Sequence, residues 1–117
     1  MSKRYNPYVT VRLSEELKRD FESFCSNSGM TVGGVVNLLI SRTIRKQAMP
    51  FRIAETEDLE VRGRYQGGEK QAERINVRVD KEVREQFAAV CQKIGIRQSR
   101  LIKVFMVYCV KKGKIPF

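Results

Sequence analysis

The sequence predicts a mostly α-helical fold with a short two-stranded antiparallel β-ribbon, built from two strand-helix-helix units that close on each other as one pseudo-dimeric domain. Three observations carry that expectation. Residues 8–51 and 74–117 align without a gap, each position matching the one 66 further on, and Val11/Val77, Arg12/Arg78, Phe21/Phe87, Cys25/Cys91, Gly29/Gly95 and Phe51/Phe117 are identical. Each copy opens on a strict apolar and polar alternation and continues with two stretches of helical period. A unit of this length is also near the lower limit at which one core is stable alone, so each copy needs a partner, and the other copy is tethered beside it.

The strand of each unit comes first. In Tyr8-Val9-Thr10-Val11-Arg12-Leu13 and Arg74-Ile75-Asn76-Val77-Arg78-Val79 a period of two puts Val9, Val11 and Leu13, and Ile75, Val77 and Val79, on a dry face. Tyr8, Thr10 and Arg12, with Arg74, Asn76 and Arg78, take the other face. A lone strand leaves its backbone donors and acceptors unpaired, so the economical arrangement pairs the two strands of one chain into an antiparallel ribbon.

Ser14 and Asp80 then stand where a helix cap belongs, with Glu15, Glu16 and Glu82 in the first turns. Leu17, Phe21, Phe24 and Cys25 recur at helical spacing, as do Val83, Phe87, Val90, Cys91 and Ile94, and Gly29 and Gly95 fit the ends of these helices. A second helix follows in each unit. Thr31 is the natural cap of the first, whose apolar face is Val32, Val35, Val36, Leu39, Ile40 and Ile44; Leu101, Ile102, Phe105, Met106 and Cys109 form that face in the second. Gly113, Pro50 and Pro116 close the units. The stretch between, 52–73, holds Gly63, Gly67 and Gly68 among many charges and reads as a linker, long enough when extended to span about 70 Å.

Charge narrows the function. The 23 Lys and Arg against 13 Asp and Glu give a net charge of +10, and the surplus lies in the two units while the linker is net acidic. That distribution favours basic faces on folded elements and a polyanionic partner, double-stranded DNA first. A membrane partner is not expected, because no apolar run approaches the roughly 20 residues a spanning helix needs and the amphipathic faces are required for the core. The chain has no histidine, no C-x-x-C spacing, no nucleophile beside a base and no phosphate-cradling glycine loop, so no metal, cofactor or catalytic activity is expected. Its three cysteines sit on apolar stripes, where a thiol behaves as a small hydrophobe, and with a polar segment at 1–7 they point to a cytoplasmic protein.

A two-stranded ribbon is one of the few elements that fits the major groove of DNA, and Arg, Asn and Thr are residue types that read base edges there. Strand, helix, glycine-containing turn and helix, with a polar outward strand face, resembles the ribbon-helix-helix DNA-binding proteins of the Arc and MetJ superfamily. The resemblance implies base reading by Tyr8, Thr10, Arg12, Arg74, Asn76 and Arg78. It further implies phosphate binding by Thr31, Val32 and Gly33 and by Arg97, Gln98 and Ser99, at the starts of the second helices. Arg97 replaces the capping hydroxyl of Thr31, so that helix either shifts its cap to Ser99 or presents the Arg97 side chain to phosphate. The two unlike reading sets imply an imperfect palindrome or two unlike half-sites.

Two subfamilies resemble the chain more specifically. Gly29-Met30-Thr31-Val32 through Ala48-Met49-Pro50-Phe51 looks like the antitoxins of the RelB and DinJ type, which implies a toxin partner. The tandem layout is similar to conjugation accessory proteins of the TraY kind, which implies a relaxase partner and higher oligomers on DNA. The reading is thus a sequence-specific DNA-binding repressor or relaxosome factor, and the alternative an antitoxin-like interaction protein whose acidic linker, Glu55 to Glu60 above all, docks a basic partner.

Overall fold

The computed structural model describes residues 8–52 and 73–117. Its elements are β1 (Tyr8–Leu13), α1 (Glu15–Asn27), α2 (Val32–Lys46), β2 (Glu73–Arg78), α3 (Lys81–Ile94) and α4 (Gln98–Lys112), a mostly helical architecture with one two-stranded sheet. The expected linker, apart from Arg52 and Glu73, lies outside the described residues.

The strands pair antiparallel within the chain. Tyr8 faces Arg78, Val9 faces Val77, Thr10 faces Asn76, Val11 faces Ile75, Arg12 faces Arg74 and Leu13 faces Glu73. Thr10 and Asn76 occupy equivalent positions of the two sequence repeats, so the strand register is centred on that pair. β2 keeps the expected six residues but is shifted by one towards the N-terminus relative to the sequence expectation of 74–79. The strand begins at Glu73, which closes the ladder opposite Leu13, and Val79 is buried just beyond its end. Glu73 is the one acid in the ribbon; it lies at the inner-face parity, and its carboxylate accepts from Lys18 Nζ at 3.2 Å.

Helix boundaries follow local chemistry. Ser14 Oγ accepts from the Leu17 amide at 3.1 Å and caps α1, whereas Asp80 holds the corresponding position of α3 without a side-chain cap bond. Both first helices end alike. Gly29 (φ 71°) and Gly95 (φ 79°) are left-handed, their amides bond the carbonyls of Ser26 and Gln92, and the following amides of Met30 and Ile96 reach back to Cys25 and Cys91. Glycine is the residue that takes this conformation without a Cβ penalty.

The helices cross between the halves. The first helix of each half lies chiefly against the second helix of the other, α1 on α4 and α3 on α2, and β1 packs on α4 while β2 packs on α2. One core results, joining Val9, Val11 and Leu13 to Ile75, Val77 and Val79 and to the apolar faces of all four helices. Phe105 is fully buried at its centre, with Phe21 edge-on at 6.5 Å between ring centres, Phe117 stacked at 5.9 Å and Phe51 at 6.1 Å. The closing Pro-Phe pairs of both halves therefore meet on one ring. The second helices differ more than the repeat suggests: Val104 and Val107 of α4 are buried, whereas Leu38, the counterpart of Val104, is 41% exposed.

Because this ring serves both halves, Phe105→Ala is expected to destabilise the whole protein in one transition, by about 3–5 kcal/mol in urea denaturation.

Candidate nucleic-acid interface

Pairing brings Tyr8, Thr10, Arg12, Arg74, Asn76 and Arg78 together on one exposed face of the ribbon. No acidic residue shares it. At its centre the Thr10 hydroxyl donates to Asn76 Oδ1 at 2.7 Å, so the two side chains form one unit whose remaining donors are the Asn76 amide hydrogens. The ends are unlike. Tyr8 stands opposite Arg78 at one end, and at the other Arg12 stands directly opposite Arg74. Like charges facing each other across a strand pair are unfavourable, and among the described residues no ion pair offsets Arg12, Arg74 or Arg78.

The starts of the second helices flank this face. On one side Thr31 caps α2, its hydroxyl accepting from the Gly34 amide at 3.0 Å, and Val32 and Gly33 form the first turn. Asn37 fixes α2 to the ribbon by donating to the Arg78 carbonyl at 3.1 Å and to the Gly33 carbonyl at 2.9 Å. On the other side α4 begins at Gln98 and Ser99, with Arg97 in the cap position and no side-chain cap bond. The cap has not moved to Ser99, because the helix already starts before it. The first amides of α4 therefore lack the internal acceptor that Thr31 supplies to α2.

Arg100 and Lys103 extend this second flank, and reasoning from the strand pattern missed both. With Arg12 and Arg97 they line a cleft of about 620 Å³ between β1 and α4. A neighbouring cleft of about 440 Å³ shares Arg97 and Ser99 and adds Arg84 and Gln98. The signal was present in the aligned repeats, since Arg97, Arg100 and Lys103 stand where the first half has Thr31, Gly34 and Asn37. Geometry and charge together suit this surface to an extended polyanion.

Cys25, Cys91 and Cys109 are free and buried. Burial pushes the thiols of Cys25 and Cys91 up to about 11, with the Glu22 charge adding to the effect at Cys25, and that of Cys109 to about 12. Such thiols lack the thiolate character of redox sensors. Among the described residues no group of three metal-ligating side chains comes together, and no helix is long and apolar enough to cross a membrane.

With the geometry in view, the comparisons with known proteins converge on one family. The model of the RelB antitoxin family matches residues 6–63 and 72–117, and the chain belongs to that family. The two matched stretches take in the two strand-helix-helix halves. Antitoxin DinJ of Escherichia coli, in strains K12 and B / BL21-DE3, is 27% identical over 56 residues, 48% of this chain. The match spans 65% of the length of these relatives. No solved structure matches the chain.

Two predictions arise here. Arg97→Ser supplies α4 with the hydroxyl cap it lacks and is expected to stabilise the fold by about 1 kcal/mol, while Thr31→Ala costs a similar amount, both read from urea midpoints. The thiols are neutral in both states below their ordinary value of 9.0; above it the unfolded chain loses protons that the folded chain retains. Stability should thus fall as pH rises from about 9 towards 11 and 12, less so in a triple Cys→Ala variant, as measured by thermal melts across that range.

Proposed function

We propose that this protein acts as an antitoxin: it engages a partner protein, and it holds duplex DNA through a β-ribbon shared by two ribbon-helix-helix halves of a single chain. The family match over both halves supports the antitoxin reading most directly. The acid-free ribbon face, with Arg12, Arg74 and Arg78 in no ion pair among the described residues, supports the DNA contact. A ribbon of this width enters the major groove, where arginine pairs with guanine and asparagine with adenine. In this reading the six ribbon residues read bases, and the starts of α2 and α4 hold phosphates through free amides and, on α4, side-chain cations.

The partner contact falls to the acidic connecting segment. Glu55, Glu57, Asp58 and Glu60 concentrate negative charge in an otherwise basic chain, a pattern suited to a basic partner such as a toxin. The family match gives no support to a relaxase partner, and the conjugation reading stands on tandem layout alone.

Arg12→Ala and Arg78→Ala are each expected to cost about 1–3 kcal/mol of DNA affinity and to relax preference at one base pair, read by mobility shift on a duplex selected from a random pool. Unchanged affinity and preference in both variants would overturn the ribbon contact. Deleting 55–60 should leave DNA binding intact and abolish co-purification with the protein encoded beside this one; retained co-purification would remove the segment from the partner interface.

A further inference from the structure

We propose that the protein binds duplex DNA in one fixed polarity, with its phosphate grip concentrated on the side where β1 meets α4; this rests on the DNA contact proposed above and specifies how that contact is distributed. The basis is a comparison of the two ends of one surface that an exact sequence repeat would make equal. They are not equal. At the first end the ribbon presents Arg12 opposite Arg74, and the adjoining cleft adds Arg97, Arg100 and Lys103. At the second end the ribbon presents Tyr8 opposite Arg78, and the positions matching those three cations are Thr31, Gly34 and Asn37. Among the described residues, five cations face one.

Several further features act in the same direction. Arg12 and Arg74 oppose each other with no acid on their face and no ion pair among the described residues, an arrangement that an anion bound between or beside them relieves. No acidic side chain is among the described residues lining the cleft that Arg12 shares with α4. At the opposite end the side chains of Thr31 and Asn37 are engaged within the protein's own surface, on the Gly34 amide and on the Gly33 and Arg78 carbonyls. DNA is the occupant these features favour, because the cations continue in one line from the strand face onto the helix and match a phosphate backbone running past a major groove.

The unlike centre fixes the direction of reading. In a ribbon made by two identical chains the residues facing each other on the axis are the same, whereas here they are Thr10 and Asn76, joined by a hydrogen bond. The bases beneath the centre thus meet a donor set that differs from one strand of the duplex to the other.

The test uses the full chain and a duplex selected from a random-sequence pool. Ethylation interference should mark phosphates strongly on one side of the site centre and weakly on the other. Arg97→Ala and Arg100→Ala should each lower the slope of log affinity against log salt by about 0.9, whereas Arg45→Ala, an exposed cation near the far end of α2, should leave it unchanged. Circular dichroism of each variant confirms its fold, and Arg97→Lys should restore the slope. Symmetric interference, or slopes unchanged in both cleft variants, would overturn the polarity while leaving DNA binding standing. Failure to select any duplex would overturn the DNA contact itself and the polarity with it.

Discussion

Everything in this molecule depends on the antiparallel pairing of β1 with β2. A single six-residue strand cannot satisfy its backbone, and a pair of helices offers it no partner, so each half is incomplete until the other arrives. Pairing satisfies the inner edges of both strands and fixes the register at Thr10 and Asn76. It also turns Val9, Val11, Ile75 and Val77 inwards as one apolar floor. The helices then have only one surface to settle on, and because the strands are exchanged across the axis, each half's first helix comes to rest on the other half's second.

The same constraint separates two kinds of residue. Positions that face the floor must stay apolar in both halves, since each contributes to a common core, and Phe21/Phe87 and Cys25/Cys91 have not diverged. Positions on the outer face carry no such duty. There the halves have parted at Tyr8 against Arg74 and Thr10 against Asn76, and at the helix starts at Thr31 against Arg97, although Arg12 and Arg78 stay alike. Packing holds the scaffold symmetric while the surface is free to become asymmetric.

Much of this was legible in the residues. The period-two alternation marked both strands and assigned their faces correctly, because burial on one side of a sheet leaves no other solution. Ser14, Thr31, Gly29 and Gly95 marked helix ends through their own side-chain or backbone chemistry. The register was not legible, since it depends on how four helices sit beneath the ribbon, and with it went the inclusion of Glu73 and the bond between Thr10 and Asn76. The burial of Val104 and Val107 and the exposure of Leu38 were missed for a similar reason: helical periodicity names a stripe but not how far neighbours extend around it. Arg100 and Lys103 escaped notice because a charged residue on a helix is ordinarily just solvated, and only the cleft against β1 gives those two a shared direction.

Covalent connection between the paired strands has a consequence for behaviour in dilute solution. Two separate chains that complete each other's core come apart as their concentration falls below the dissociation constant, and their folded fraction depends on how many copies a cell holds. Here the partner strand belongs to the same chain, so its pairing is intramolecular. Folding becomes a first-order event with a yield independent of copy number, so a lone chain can already present the complete ribbon.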